Sequence, residues 1–370
     1  MIYQKIDNNQ SLKDLLLNSE KIEYKLFQNL DFVSISHLLN DITFENCIFM
    51  GCNIPEYWDN KKNIKNLIFP AIDVPFDVYT SSLYNKDKLY GGYVQGNPES
   101  FNDTYDQVIY RHYLHTKAKE KNIKELLACR IHDHSITEAL NDLLSDFPEK
   151  KIVAIMGGHN IKRDETGFYE IASLSKKLTE KGFLMISGGG PGAMEATHVG
   201  AWFANKSEDI LKQACKILGE APDYKHPFWL DKAWDVLSIY PTTEFKSIGI
   251  PTWHYGHEPS TPFASHIAKY FENSIREDGL LSIAKGGVVF TPGSAGTLQE
   301  IFQEAVQNHY LVFGYASPMI FFNKKYWTEE IPVVNFIQQM ITEGKYKNLI
   351  FSVLDTNEDV VAALERFLEN

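Results

Sequence analysis

Three times between residues 151 and 309, a short apolar run is followed by a glycine-rich turn and then by a segment with helical periodicity. The apolar runs are residues 152–156, 183–186 and 287–290. Short, continuously apolar runs are typical of strands that are buried on both faces of a parallel sheet. Because parallel strands point the same way, their glycine turns meet at one edge, where α/β proteins bind ligands. The repeat therefore predicts a doubly wound, mostly parallel α/β sheet.

The rest of the chain after residue 126 continues this alternation. A helical insertion is expected at about residues 205–240, where two amphipathic segments flank a turn with proline and tyrosine. An apolar run at 247–251 precedes a helix that is expected over residues 262–276. We therefore expect one Rossmann-like domain over residues 126–370, with at least five strands. Its remaining predicted elements are helices at 165–181, 332–343 and 358–368 and strands at 319–322 and 349–354.

Residues 1–125 are expected to form a smaller N-terminal appendage, and no motif indicates its role. Phe44, Phe49 and Ile54 are spaced five residues apart, which is a feature of the pentapeptide type of β-solenoid. Two or three such turns are few for a solenoid, so the favoured interpretation is a small extended cap against the main domain. Both interpretations predict a folded region.

Two histidine patterns raise the question of a metal site, and neither leads us to predict one. Residues 132–134 read HDH, but Ser135 and Glu138 form a capping-box pattern, which predicts that a helix begins at Ser135. His254 and His257 lie three residues apart in a segment with glycine and proline, and no third ligand is evident. This segment is either a loop that contributes side chains to a pocket or a purely structural one.

Composition argues against several classes of function. The 370 residues carry a formal net charge of −12, whereas proteins that embrace nucleic acid meet its phosphates with clustered Lys and Arg. The four cysteines include no CxxC pair and are expected to be free thiols in a reducing compartment. The N-terminus lacks the apolar core of a secretion signal, and no apolar run reaches membrane-spanning length. We therefore expect a cytoplasmic protein that binds neither nucleic acid polymers nor membranes.

The third glycine turn, at residues 292–300 (PGSAGTLQE), has the features of a phosphate site. Gly293 and Gly296 permit close backbone approach, and the free N–H groups of the following helix point back at the loop. Such a turn binds anions, and a tight turn without a ligand is the alternative. The turn at 187–195 lacks the glycine spacing of the dinucleotide fingerprint, and no Walker Gly-Lys-Ser/Thr is present. A mononucleotide therefore fits better than NAD or ATP hydrolysis.

Two of these turns resemble the paired motifs of a known family. Residues 188–194 (GGGPGAM) and 292–300 are similar to the GGGxGxM and PGGxGTxxE motifs of the LOG family, whose members are often mislabelled lysine decarboxylases. Residues 156–161 (MGGHNI) and 190–196 (GPGAMEA) more closely resemble the larger bacterial purine/pyrimidine nucleotide monophosphate nucleosidases. The resemblance covers roughly residues 151–368. Characterised family members are phosphoribohydrolases, which release the base from nucleoside 5′-monophosphates.

The resemblance implies a set of nucleotide-binding residues, with no metal and no cofactor. Ser294 stands where the family has glycine; serine keeps the loop small, adds a hydroxyl donor and leaves the backbone conformation open. His159 is either near the ligand or a neutral side chain that caps the next turn. The implied nucleotide- or phosphate-binding residues are Gly157, Gly158, His159, Gly189, Gly190, Gly192, Ala193, Met194, Gly293, Ser294, Ala295, Gly296 and Thr297.

In the LOG family the catalytic pair is the last Glu of the second motif and an Arg on the preceding helix, which here correspond to Glu300 and Arg276. Counting back from the second motif and forward from residues 258–259 leads to the same arginine. Breaking an N-glycosidic bond builds positive charge on the ribosyl carbon, which a fixed carboxylate stabilises. Glu300 is expected in the first helical turn, where the helix dipole favours the ionised form. The alternatives are a solvated Glu300 and an Arg276 that pairs with its acidic neighbours at the end of a helix.

The predicted function is hydrolysis of nucleoside 5′-monophosphates, such as AMP, to the free base and ribose 5-phosphate. The alternative is a non-catalytic nucleotide sensor or carrier on the same scaffold. The resemblance also implies a homodimer or larger homo-oligomer, with the helices after the glycine turns at the interface. Base preference stays open because the insertion at about 205–240 falls near the expected position of the base, and no proton donor is identifiable.

Overall fold

The computed structural model describes residues 3–56, 63–117, 122–255 and 259–369. The chain divides into two compact units. The first comprises Met1–Leu83 and Arg111–Asn141, and the second comprises Tyr84–Tyr110 and Asp142–Asn370. Each unit is therefore built from two separate stretches of sequence, and residue 125, the predicted domain boundary, lies inside a continuous helix.

Short parallel strands dominate the first unit. The strands form two sheets, one with the order β1–β3–β5–β7 and one with the order β2–β4–β6. Leu26 pairs with Ile48, and Ile48 pairs with Leu67, so one coil takes about 20 residues, as in a parallel β-solenoid. The elements up to residue 144 are β1 (Gln4–Ile6), α1 (Asn9–Leu17), β2 (Lys21–Glu23), β3 (Lys25–Gln28), β4 (Thr43–Glu45), β5 (Ile48–Met50), β6 (Asn63–Ile64), β7 (Leu67–Phe69), α2 (Lys86–Leu89), α3 (Tyr105–Lys117) and α4 (Ile123–Leu144).

Phenylalanine rings fill the interior of these coils. Phe27 and Phe49 stack with their centroids 4.9 Å apart and an interplanar angle of 20°. Phe32 and Phe44 pack edge-on against Phe27 at 5.3 and 5.8 Å, and all four side chains are buried. The five-residue spacing of Phe44 and Phe49 thus places both rings in the same interior.

The helix that was expected to begin at Ser135 begins at Ile123 instead. Ser135 lies inside α4, where its Oγ is within hydrogen-bond distance of the carbonyl oxygens of Ile131 (2.9 Å) and Val78 (3.1 Å). The capping-box prediction is wrong, because the helix already extends three turns before the serine.

In the HDH segment, the buried His132 Nδ1 lies 3.1 Å from a carboxylate oxygen of its neighbour. Across the described ranges, no three His, Cys, Asp or Glu side chains are grouped to hold a metal ion.

Seven parallel strands form the sheet of the second unit, which confirms the predicted doubly wound α/β fold and extends the minimum of five strands. The strand order is β11–β10–β9–β8–β12–β13–β14. The elements are β8 (Ile152–Met156), α5 (Thr166–Glu180), β9 (Leu184–Ser187), α6 (Ala193–Trp202), α7 (Glu208–Gly219), α8 (Trp229–Ile239), β10 (Ser247–Gly249), β11 (His266–Ile267), α9 (Asn273–Ile283), β12 (Gly287–Phe290), α10 (Ala295–His309), β13 (Pro318–Phe322), α11 (Val333–Thr342), β14 (Ile350–Leu354) and α12 (Asn357–Leu368).

The order of the strands reverses at β8. From β8 the chain moves outward through β9, β10 and β11, and it then returns to the other side of β8 with β12. All residues of β8, β9 and β12 are buried, as expected for strands covered on both faces. A crevice forms beyond the carboxyl ends of the strands where such an order reverses, and ligands bind there. In this chain the crevice lies between the ends of β8 and β12.

The helix that was expected over residues 262–276 is absent from this part of the described chain, so that prediction is wrong. Residues of this range form β11, in which His266 pairs with Ile248 of β10, and α9 begins only at Asn273. The Ala268 N–H also donates to the Gly249 carbonyl oxygen at 2.8 Å. Pairing with a neighbouring strand therefore overrides the local helical pattern.

No helix in the described ranges is long and apolar enough to cross a membrane.

Candidate functional site

The first and third glycine turns touch each other at the crevice between β8 and β12. The Gly158 N–H donates to the Pro292 carbonyl oxygen at 3.0 Å. A Cβ atom on Gly157 would lie 1.9 Å from Thr291 Oγ1, so this approach requires glycine. Gly157, Gly158 and His159 remain partly exposed. These turns therefore line an accessible crevice.

The second glycine turn packs beneath the first one. Gly192 has a φ of +70°, and a Cβ atom there would lie 2.5 Å from the Gly158 carbonyl oxygen. The Ala193 N–H donates to the same carbonyl oxygen at 3.1 Å, so this amide is used within the protein. The predicted residues Gly189, Gly190, Gly192, Ala193 and Met194 are all buried. The second turn therefore packs against the first turn and is itself shielded from solvent.

The third turn opens towards solvent at the N-terminus of α10. Ser294, Ala295 and Gly296 are exposed, whereas Gly293 and Thr297 are buried. Ser294 precedes the helix and makes no side-chain capping hydrogen bond. The Leu298 N–H donates to the Ser294 carbonyl oxygen at 2.9 Å, and the amides before Leu298 have no partner within the helix. The first turn of α10 therefore presents N–H groups at the crevice, as an anion site requires.

Two aromatic side chains that sequence analysis missed hold this turn in place. They belong to a π-helix at Tyr326–Glu330. Tyr326 Oη donates to the Gly293 carbonyl oxygen at 2.7 Å, and Trp327 Nε1 donates to the Phe290 carbonyl oxygen at 3.0 Å. In the sequence, two adjacent aromatic residues shortly after β13 were the only feature that could have indicated this role. Their hydrogen bonds satisfy carbonyl groups at the end of β12 and in the turn.

Arg276 lies against the second glycine turn. Its side chain is buried, and its Nε donates to the Ile250 carbonyl oxygen at 2.9 Å. A Cβ atom on Gly188 would lie 2.8 Å from Arg276 Nη2. Within the described part of the chain, the bond to Ile250 is the only hydrogen bond or ion pair of this side chain. A buried cation without a counter-ion is costly, so the arrangement suits an anionic ligand.

The acidic neighbours of Arg276 have other partners. Asn273 Nδ2 donates to Glu277 Oε2 at 2.8 Å, and Gln303 Nε2 donates to Asp278 Oδ1 at 2.8 Å. Arg276 also lies in the first turn of α9 and not in the last turn of a helix. The alternative in which Arg276 pairs with these acids is therefore wrong.

Glu300 lies in the second turn of α10, because that helix begins at Ala295. The expectation that it occupies the first turn is wrong, and the effect of the helix dipole is weaker there. Its side chain is 9% exposed, which also contradicts the alternative of a solvated carboxylate. One turn further along, burial raises the pKa of Glu304 to about 7.

A buried ion pair, also missed by sequence analysis, ties the first turn to the second. Arg163 lies in the loop after β8, and Glu195 lies in the first turn of α6. Arg163 Nε and Nη2 donate to the two carboxylate oxygens of Glu195 at 2.8 and 2.6 Å. Nη1 donates to the Trp229 carbonyl oxygen at 2.8 Å, and the guanidinium lies 4.2 Å from the centroid of the Trp229 ring. In the sequence, the only local feature that could have indicated this ion pair was the position of Glu195 directly after the glycine motif.

The loop after β10 carries the second histidine pattern. The His254 N–H donates to Thr252 Oγ1 at 2.9 Å, and the His254 ring packs edge-on against Tyr255 with the centroids 5.1 Å apart. His257 lies outside the described residues. Residue 258, one of the two reference points that lead to Arg276 in the sequence, lies outside them as well.

Comparisons with known proteins give the following results. No protein-family model matches the sequence, and no curated protein matches it. The structure is similar to the molybdenum cofactor binding protein from the phototrophic bacterium Rippkaea orientalis, with a TM-score of 0.36 and 14% identity over 59% of this chain and 96% of that chain. It is also similar to TM1055, a structural genomics target, with a TM-score of 0.37 and 19% identity over 58% of this chain and 98% of that chain. Similarity at this level carries no inference about activity.

Proposed function

We propose that the protein hydrolyses the N-glycosidic bond of nucleoside 5′-monophosphates and releases the free base and ribose 5-phosphate. The observation that carries this proposal is the buried Arg276 guanidinium against Gly188. No carboxylate in the described part of the chain pairs with it. A phosphate group would supply the missing negative charge, and the planar fork of an arginine binds phosphate through two parallel hydrogen bonds.

The exposed N-terminus of α10 supports the same ligand class. Its first-turn amides lie at the crevice, next to the partly exposed Gly158. We propose that Gly293, Ser294, Ala295, Gly296 and Thr297 bind the phosphate together with Arg276. Gly157, Gly158 and His159 then border the ribose, and the buried turn from Gly189 to Met194 supports them from below.

Glu300 is the proposed catalytic carboxylate. When the C1′–N bond breaks, positive charge develops on C1′ and the ring oxygen, and a fixed carboxylate stabilises that state more than the ground state. Water supplies the oxygen that bonds to C1′, and the departing base takes up a proton. The burial of Glu300 favours this role, because electrostatic effects are stronger where water is excluded.

Membership of the LOG family is part of the proposal, and it rests on the GGGPGAM and PGSAGTLQE motifs. The same resemblance leads us to propose a cytoplasmic homodimer or larger homo-oligomer, with α10, which has exposed residues, at the interface. All residues of α6 are buried within one chain, so the proposed interface does not include that helix. Analytical ultracentrifugation tests the assembly, and a monomer at micromolar concentration would contradict it.

The activity is tested by incubating the protein with AMP, GMP, CMP and UMP and separating the released bases by chromatography. Glu300→Gln is expected to lower kcat by about 10²- to 10³-fold, as the loss of one electrostatic stabiliser does. Arg276→Met is expected to raise KM, because it removes the proposed phosphate ligand. Asp278→Asn, an exposed acid on the helix that carries Arg276, is the control and should leave both constants unchanged.

Two results would contradict the proposal. Base release that is unaffected by Glu300→Gln would remove the catalytic assignment. Thermal stabilisation by nucleotides without any base release would instead identify a nucleotide sensor or carrier.

A further inference from the structure

A cavity of about 320 Å³ opens in the second unit. Its wall includes the aromatic side chains of Phe101, Tyr110, Tyr224 and Trp253. The Tyr224 ring packs edge-on against the ring of His159, with the centroids 6.2 Å apart. The cavity therefore adjoins the first glycine turn, and its volume is in the range of small-molecule sites.

A buried ion pair forms the polar part of this cavity. Lys269 Nζ lies 2.6 Å from Asp106 Oδ1, and both side chains are 2% exposed. Trp253 Nε1 donates to the same oxygen at 2.8 Å, and Lys269 Nζ donates to Ser260 Oγ at 3.1 Å. Among the described residues, both hydrogen bonds to the Asp106 carboxylate fall on Oδ1. Its second oxygen, Oδ2, is therefore left to accept a hydrogen bond from a ligand.

The Trp253 ring is fixed before any ligand binds. It packs against Phe271 with the centroids 4.6 Å apart and edge-on against Tyr84 at 5.9 Å. Together with the hydrogen bond from its Nε1, these contacts restrain the indole on several sides. Lys269 Nζ also lies over the indole, 5.2 Å from its centroid, and Trp253 is only 1% exposed. Trp253 therefore holds the Asp106–Lys269 pair in place, and the half-buried tyrosines of the cavity are left as the surfaces on which a flat ligand can stack.

We propose that this cavity binds the base of the nucleotide, and that it selects bases that carry an exocyclic amino group. The half-buried Tyr110 and Tyr224 stack on the base, an interaction that every base can make. Asp106 Oδ2 accepts a hydrogen bond from the amino group, and a base that lacks this donor leaves the carboxylate oxygen unpaired. This inference rests on the proposed function, because the base belongs to the same nucleotide whose phosphate is proposed to bind at the N-terminus of α10.

Stacking is tested with Tyr110→Ala, a change of a half-buried side chain. The dissociation constant of AMP is expected to rise about tenfold, the order of magnitude for loss of one base–aromatic stack. Inhibition by ribose 5-phosphate, which has no base, should stay unchanged. Tyr315→Ala is the matched control, because Tyr315 is also half-buried but lies just before β13, at the opposite end of the sheet. Tyr224→Ala should repeat the result from the other wall of the cavity.

Selection by the carboxylate is tested by comparing AMP with purine riboside 5′-monophosphate, which lacks only the amino group. Calorimetric titration of the Glu300→Gln variant measures binding without turnover. AMP is expected to bind about tenfold more tightly, as the loss of a hydrogen bond to a charged group implies. Equal binding of the two nucleotides would overturn the assignment of Asp106.

The results also separate this inference from the proposed function. If base release occurs but Tyr110→Ala and Tyr224→Ala leave AMP binding unchanged, the cavity assignment fails and the hydrolase proposal stands. If no base is released but both variants weaken AMP binding selectively, the cavity assignment stands and the hydrolase proposal fails.

Discussion

Replacing Glu195 by glutamine is expected to destabilise the second unit by about 3–5 kcal/mol, the typical cost of removing one partner of a buried ion pair. Arg163 and Glu195 are 2% and 0% exposed, so water cannot replace the lost carboxylate. Glutamine preserves the size of the side chain but leaves the guanidinium charge buried. The amide oxygen of glutamine can accept only one of the two hydrogen bonds that Glu195 accepts from Arg163 and carries no negative charge, whereas the hydrogen bond to the Trp229 carbonyl oxygen, at 2.8 Å, remains.

Urea unfolding followed by circular dichroism measures this loss as a shift of the midpoint. In a unit of this size, 1 kcal/mol corresponds to about 2–4 °C in Tm, so the thermal midpoint should fall by roughly 10 °C. Glu365→Gln is the control, because its ion pair with Lys181 joins side chains that are 40% and 52% exposed. That change should cost less than about 1 kcal/mol.

A double variant tests the physical reason directly. Arg163→Met combined with Glu195→Leu removes both charges and fills the space with apolar atoms, so it should recover most of the stability lost in Glu195→Gln. A cost below about 1 kcal/mol for Glu195→Gln would refute the argument that desolvation dominates. A double variant no more stable than Glu195→Gln would refute it as well.

Three further predictions concern the second unit. Gly192→Ala should destabilise it by about 2–4 kcal/mol, because its φ is +70° and the new Cβ would lie 2.5 Å from a carbonyl oxygen; urea unfolding measures this. Burial raises the folded-state pKa of Glu304 to about 7. The contribution of this group to stability is therefore fully present below about pH 4.5 and is lost as the pH rises through about 7, by up to about 3 kcal/mol. Unfolding of the wild type and of Glu304→Gln at several pH values measures this. Burial raises the pKa of the Cys215 thiol to about 12, so its labelling by a thiol reagent at pH 7 should be much slower in the folded than in the unfolded protein.

Each of these predictions has a control and a contrary outcome. Gly279→Ala adds a methyl group in open space inside a helix and should stabilise by about 0.5–1 kcal/mol; equal effects of both glycine changes would contradict the argument from geometry. For Glu304, the difference between wild type and Glu304→Gln is the informative quantity, since burial lowers the pKa of His198 to about 3 and acts in the opposite direction. A difference that does not depend on pH would contradict the prediction. Labelling of Cys215 at the same rate in folded and unfolded protein would show that its sulfur is accessible.

The strands of the sheet and the glycine turns could be predicted because their signals are local. The run at 152–156 forms β8 with the expected bounds, and that at 287–290 forms β12. Continuous apolar runs require burial on both faces, and a parallel sheet brings the following turns to one edge. The meeting of Gly158 with Pro292 follows from that geometry, although the two residues are far apart in the chain.

The local sequence pattern gave a wrong prediction in two places. Residues 262–276 have a helical pattern, but His266 pairs with Ile248 in the sheet. Ser135 has a capping pattern, but the surrounding helix had already begun at Ile123. At residues 262–276, pairing in the sheet outweighs a preference that is worth only a fraction of a kcal/mol per residue. At Ser135, the residues from Ile123 onward already form the helix, so the serine lies inside it.

The sequence alone therefore determined the class of the sheet, the positions of its glycine turns and an anionic ligand as the hypothesis to test. Tertiary structure decided which side chains surround that site. The partner of Arg163, the lack of a carboxylate beside Arg276 in the described chain, and the junction of Asp106 with Lys269 all depend on residues that lie far apart in sequence. Periodicity reports which face of an element is buried, but it carries no information about which distant charge lies against that face.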